Sequence, residues 1–214
     1  MSRMMKRLFL PGPAGRLEAL LMQPAAAQAA ALVCHPHPQH GGTMHTKAVY
    51  RTARGLAAAG CSVLRFNFRG VGHSDGCWDE ERGEKQDAKE ALDWLAGQSA
   101  QQPLLVGGFS FGSFMGLQVG MHHPQTRGLL GIGLPLDRYR FEFLDGNTLP
   151  LLLISGAEDP FCPADELRQL AQRLGPQVEL HILANDGHLL LDSLPEVQAL
   201  VTSFAQRLLS PTAG

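Results

Sequence analysis

The sequence predicts an α/β protein built on an open, twisted, mostly parallel sheet with helices on both faces and no large lid. Three observations carry this. Apolar runs of strand length alternate with amphipathic segments of helix length, an order that calls for parallel strands joined by right-handed crossovers. The strand segments are continuously apolar rather than alternating, as strands covered on both faces are. The 214 residues are 44% hydrophobic and 18% charged, a globular balance that suits one domain, residues 1–214, with a sizeable core.

The elements follow in order. Arg7 to Leu21 reads as a hairpin turning at Pro11 to Gly15. Ala30 to Cys34 is the first continuous strand. A loop of His, Pro and Gly separates it from a helix over Thr46 to Ala59, which Gly60 ends. Ser62 to Asn67 is a strand, followed by the glycine-rich stretch Arg69 to Gly76. A helix over Glu84 to Ala96 is closed by Gly97. Leu104 to Phe109 is a strand that runs directly into a helix, Phe111 to His122, stopped before Pro124. Gly128 to Gly133 and Leu151 to Ser155 are strands. Pro163 to Leu174 is a helix with proline where it is tolerated. Val178 to Leu183 is the last strand and Pro195 to Leu208 the last helix. Leu134 to Pro150 is the one candidate for a lid, and its roughly 17 residues are too few for a cap of ordinary domain size. Tyr139, Phe141 and Phe143 in it either wall a site or pack the segment onto the body.

Composition narrows the function classes. A formal net charge of -2 points away from nucleic acid and anionic membrane surfaces. The short basic cluster at Arg3, Lys6 and Arg7 reads as solvated. Cys34, Cys61, Cys77 and Cys162 form no CxxC pair, and Cys34 and Cys61 occupy apolar strand positions; both fit a reducing compartment. Neither a signal peptide nor a membrane-spanning apolar run is read. The expectation is a cytoplasmic protein, monomer or homodimer, acting on a small molecule.

The strongest chemical signal is Gly108-Phe109-Ser110-Phe111-Gly112. It matches G-x-S-x-G at a strand-to-helix turn, where such a serine is exposed at the top of a sheet. Glycines on either side let strand and helix approach, and the helix N-terminus favours developing negative charge. A serine hydroxyl needs a base. In sites built on this turn the chain order is serine, acid, histidine. His188, in the loop Asn185-Asp186-Gly187-His188 after the last strand, is the candidate base. His122 and His123 lie at the far end of the serine's helix, and His181 lies inside a strand. The orienting acid is expected from Gly156-Ala157-Glu158-Asp159-Pro160, with Asp159 first and Glu158 next. Asp186 and Asp165 are alternatives.

An oxyanion hole needs two backbone N–H donors. Phe111, directly after the serine, supplies one. The second is expected from His35-Pro36-His37-Pro38-Gln39-His40-Gly41-Gly42. Proline has no N–H, so Pro36 and Pro38 are excluded, and His37 between them is the best donor, stiffened by the prolines around it. His35, His37, His40 and His45 also invite a metal reading, but no HExxH or CxxC accompanies them, so no metal or cofactor is expected. Arg69 to Ser74 lacks the third glycine of a dinucleotide loop and no helix follows it directly.

Three stretches in order, His35 to Gly42, Phe66 to Ser74 and Gly108 to Gly112, give the chain its resemblance to the α/β-hydrolase superfamily over nearly its whole length. It looks most like small bacterial hydrolases near the dienelactone hydrolases, although it has serine at the elbow where those have cysteine. The resemblance implies the fold and a Ser-His-Asp arrangement of Ser110, His188 and Asp159. The expected reaction is cleavage of a small carboxylic ester. A thioester or amide substrate, or a binding protein without turnover on the same fold, are the alternatives.

Overall fold

The apolar runs of the chain form one eight-stranded sheet in a computed structural model that describes residues 4–99 and 101–210. The strands are β1 (Met4–Gly12), β2 (Gly15–Gln23), β3 (Ala29–Cys34), β4 (Cys61–Phe66), β5 (Leu104–Phe109), β6 (Thr126–Ile132), β7 (Leu151–Gly156) and β8 (Val178–Leu183). Their spatial order is β1-β2-β4-β3-β5-β6-β7-β8. β1 and β2 make the antiparallel hairpin, and β2 joins β4 antiparallel. From β4 onward every pairing is parallel. β3, β4, β5 and β7 are buried along their whole length, as the unbroken apolar runs require.

Five helices cover the two faces: α1 (Lys47–Ala58), α2 (Arg82–Gln98), α3 (Phe111–Gly120), α4 (Ala164–Leu174) and α5 (Leu194–Leu209). α1 and α5 enclose one apolar core with Val33, Leu105, Ile132 and Ile154. α2, α3 and α4 enclose the other with Leu32, Val106, Leu129 and Leu153. The chain leaves β3 toward β4 on one side and returns to β5 on the other. That reversal opens a crevice at the carboxyl ends of β3 and β5, where sites form in sheets of this kind.

Several expected boundaries move, two helix C-termini among them. Gly97 does not close α2, because the helix continues through it to Gln98. Ser99 supports this last turn by donating its hydroxyl to the Leu95 carbonyl at 2.6 Å, and the left-handed residue comes later, at Gln101 (φ 64°). α3 ends at Gly120 rather than His122; His122 and His123 lie in the following turn, where the His123 ring accepts the Gln125 N–H at 3.3 Å. Among the described residues no helix is long and apolar enough to cross a membrane.

The glycine-rich stretch after β4 is anchored by charge. Arg69 and Asp87 are both buried, and the guanidinium meets the carboxylate through Nε at 2.9 Å and a terminal nitrogen at 2.8 Å. The Arg69 N–H adds a third bond at 3.0 Å. A buried ion pair that loses one partner leaves an uncompensated charge. Asp87→Ala is therefore expected to cost about 3–5 kcal/mol in urea denaturation, and replacement of both residues by apolar ones much less. A loss as small in the single as in the double variant would show that water already compensates Arg69.

Candidate active site

Ser110 sits between β5 and α3 with φ 55° and ψ -123°, a backbone conformation that a non-glycine residue takes only under constraint. Its N–H donates to the Ile132 carbonyl of β6 at 2.8 Å. Ser113, one turn into α3, is fully buried. Its hydroxyl lies 2.9 Å from both the Gly108 and Ile132 carbonyls and accepts the Ile132 N–H at 3.1 Å. A Cβ on Gly112 would meet the carbonyls of Cys34 and His35, so glycine there is what lets α3 start against the end of β3.

The structure brings Ser110, His188 and Asp159 together from three loops at one sheet edge. His188 Nε2 is 2.9 Å from Ser110 Oγ, and His188 Nδ1 is 2.8 Å from Asp159 Oδ2. A carboxylate only accepts, so Nδ1 carries the proton and Nε2 is left to accept from the serine hydroxyl. Asp159 is buried and its orientation is set twice more: Oδ1 accepts the Phe161 N–H at 2.9 Å and Oδ2 faces the Ser155 hydroxyl at 3.3 Å. The imidazole packs against Phe109 (ring centroids 5.1 Å apart) and edge-on to Phe161 (4.8 Å). Gly133 (φ 57°) leaves it room, since a Cβ there would lie 3.4 Å from the ring.

A pocket of about 290 Å³ opens beside Ser110. His37 and Phe111 both line it, as do His188, Phe161, Tyr139, Arg138 and Leu189. The His37 carbonyl accepts the His40 and Gly42 N–H groups at 3.1 Å each, which closes the loop tightly around it. Its ring stacks on His40 at 4.4 Å and lies 4.5 Å from Trp78 and 5.0 Å from Phe111. The N–H of Phe111 belongs to the first turn of α3, which has no intrahelical acceptor for it.

With the fold and this geometry in view, the chain matches the family described as Alpha/beta hydrolase domain over residues 27–196. It belongs to that family. An uncharacterized protein of Rickettsia prowazekii is 38% identical over 179 residues, covering 81% of this chain and 75% of its own. A structure from Xanthomonas campestris, described as an α/β serine hydrolase without lid, superposes with a TM-score of 0.88 at 29% identity and covers 100% of this chain and 99% of its own. An α/β serine hydrolase homologue from Coxiella burnetii gives a TM-score of 0.86 at 30% identity over 92% of this chain and 96% of its own. The present chain is thus a hydrolase by family, with the α/β-hydrolase fold.

The segment 134–150 splits between its two expected roles. Tyr139 lines the pocket and stacks on Phe114 at 4.4 Å. Phe141 and Phe143 pack edge-on against Phe114 and fix the segment to the body.

The other acids and histidines weighed from the sequence have different places. Asp186 does not reach His188. Its carboxylate accepts the N–H groups of Gly187 (2.9 Å), Ser193 (2.8 Å) and Asp192 (3.2 Å), which ties the histidine loop to the start of α5. Glu158 is exposed and Asp165 pairs with Arg168 on the surface of α4. His35 is buried between two loops: its Nε2 accepts the Phe68 N–H at 3.0 Å and its Nδ1 donates to the Pro36 carbonyl at 2.6 Å. His45 is exposed, and among the described residues no group of three or more His, Cys, Asp or Glu could hold a metal ion. Ser113, Ser155 and Phe161 were not singled out from the sequence. Their roles depend on strand neighbours far away in the chain, and only the small side chains in GFSFGS hint at one of them.

Burial holds the His35 imidazole neutral, with its pKa pushed down to about 3. Burial and the neighbouring His40 push His37 down to about 4. The unfolded chain binds these protons near pH 6.5 and the folded one does not, so stability is complete above that pH and falls as the pH drops toward 3. His35 alone removes up to about 1.4 kcal/mol per pH unit in that window. Denaturant unfolding at pH 7, 5.5 and 4.5 should show this slope, and His35→Gln, which keeps an acceptor and a donor, should flatten it. An equal slope in the variant would assign the titration to other groups.

Proposed function

We propose that the protein is a serine esterase that cleaves small carboxylic esters through an acyl-enzyme. The observation that carries the reading is the unbroken path from Ser110 Oγ through His188 to Asp159 at 2.9 and 2.8 Å. In this reading His188 Nε2 takes the hydroxyl proton as Oγ bonds to the ester carbonyl carbon. Asp159 holds the ring and stabilises the imidazolium. The Phe111 and His37 N–H groups receive the oxyanion. His188 then returns the proton to the alcohol as the C–O bond breaks, and water, activated by the same base, releases the acid. Thioesters and amides are open to the same chemistry, and a panel of the three ranks them. The serine-hydrolase description of the Xanthomonas and Coxiella neighbours supports the nucleophile assignment. Free cysteines, three of them buried, support a reducing, cytoplasmic setting.

A fluorophosphonate probe is expected to label Ser110 alone; a folded, unlabelled protein would remove this reading. Ser110→Ala and His188→Ala should each lower kcat by about 10^4-fold or more, and the double variant should be little worse than either, because members of such a set act as a unit. Additive losses would show that they act separately. Asp159→Asn should inactivate more than Asp186→Asn in steady-state kinetics, and the reverse order would overturn the acid assignment.

The open pocket also predicts how rate depends on substrate form. Small soluble esters such as p-nitrophenyl acetate or butyrate should be hydrolysed at least as well as long-chain lipids, with rates rising smoothly through the micelle threshold. A sharp jump there would mean that residues 134–150 move over Ser110.

A further inference from the structure

The pocket beside Ser110 carries one permanent charge. Among the described residues Arg138 lines it and no aspartate or glutamate does; its other walls are aromatic, aliphatic or small polar groups. A guanidinium keeps its charge at any working pH. Arg138 is held in place by its backbone, whose N–H donates to the Pro135 carbonyl at 3.2 Å; the preceding Asp137 N–H donates to the Phe161 carbonyl at 3.2 Å. The guanidinium carbon lies 5.4 Å from the Phe161 ring centroid, and that same ring packs on His188 at 4.8 Å. Two short steps across one aromatic ring therefore separate the cation from the imidazole.

The charge is not used up locally. Asp137 is the ion-pair partner of Arg138 among the described residues, and its carboxylate is 3.6 Å from Nε, beyond hydrogen-bond reach. The planar fork that pairs carboxylates through two parallel bonds makes no hydrogen bond to any described residue, and with its side chain 53% exposed it sits at the rim where the apolar pocket meets solvent. A structural role in packing would be met by the stem and the ring contact alone; it does not need a cation at the pocket rim.

We infer that Arg138 recognises an anionic group on the substrate, so that the preferred esters carry a carboxylate a few bonds from the scissile carbonyl, with the intervening segment lying against Phe161. This inference rests on the esterase reading above. A dicarboxylic acid monoester, or an ester of a carboxylated alcohol, has the required shape. A cationic ester is disfavoured, because it meets like charge at Arg138 while Asp137, the acid beside it, lies outside the pocket lining.

The test compares matched esters on both sides of the bond: p-nitrophenyl monoglutarate against p-nitrophenyl valerate, and 4-acetoxybenzoate against 4-tolyl acetate. The ratio of kcat/KM for the anionic to the neutral member is taken within each protein, so general losses cancel. Arg138→Gln is expected to lower this ratio about tenfold for at least one pair, the scale of a hydrogen-bonded charge, and Arg138→Lys less. Salt at about 0.5 M, which screens exposed charges strongly, should lower the ratio in the native protein and leave it unmoved in Arg138→Gln. Turnover of the esters with both ratios unchanged in Arg138→Gln overturns the inference and leaves the esterase reading standing. No turnover of any of the four esters by the native protein would instead remove the esterase reading, and this inference with it.

Discussion

A serine backbone at φ 55° and ψ -123° is unfavourable by about 1–3 kcal/mol on its own, and the surrounding sheet is arranged to hold it there. The Ser110 N–H is tied to Ile132 of β6, and the Ser113 hydroxyl spans β5 and β6. Gly112 sits against the last carbonyls of β3. Three parallel strands thus converge on one residue, and none of them can shift without releasing it. The strain lifts the hydroxyl above the sheet edge, and His188 meets it from the loop after β8, packed close to Gly133, which takes the positive φ that its turn requires.

The loops around this turn are fixed by buried polar contacts more than by apolar packing. His35 links the β3 loop to Phe68, Arg69 and Asp87 pin the stretch that carries Trp78, and Asp186 clamps the histidine loop to α5. Each is a buried group with its hydrogen bonds made, which rigidifies a structure because a partly satisfied network is costly. Glu84 is the exception. One of its carboxyl oxygens accepts the Asp79 N–H at 3.0 Å, the other has no partner, and burial raises its pKa. Leu190 shows the same economy of placement on the apolar side: at φ 52° it is fully buried, and its two neighbours Leu189 and Leu191 are left facing outward beside His188.

What the sequence revealed depended on how local each signal was. The strand Leu104–Phe109 was legible to the residue because burial on both faces leaves an unbroken apolar run, whereas Val178–Leu183, a half-buried edge strand that carries Glu179 and His181, was placed by its position between two helical segments. Ser110 was legible because its turn needs small residues at fixed offsets. His188 and Asp159 followed from chain order and from lying after strands that end at the same edge. Helix ends were less legible: Gly97 looks like a stop, yet a glycine with open space around it continues a helix when a serine hydroxyl supports the last turn. The supporting residues were not legible at all. Ser155, Phe161 and Arg138 matter through partners that only the assembled sheet supplies, and no spacing along the chain encodes those distances.

The same geometry bears on whether this pocket binds or reacts. A binding protein on this fold needs the cavity and its aromatic walls, which Phe111, Tyr139 and Phe161 provide without any help from Ser110. It gains nothing from a non-glycine residue held in a strained turn, where glycine would sit without the steric cost. Nor does it need a buried carboxylate with three separate partners arranged so that one oxygen faces an imidazole. Burying that carboxylate is costly unless it is fully bonded, and its bonds are spent on orienting His188 rather than on shaping the cavity. The features that cost stability here are those that point a hydroxyl and a base at one another, which is why hydrolysis is the reading they favour over binding alone.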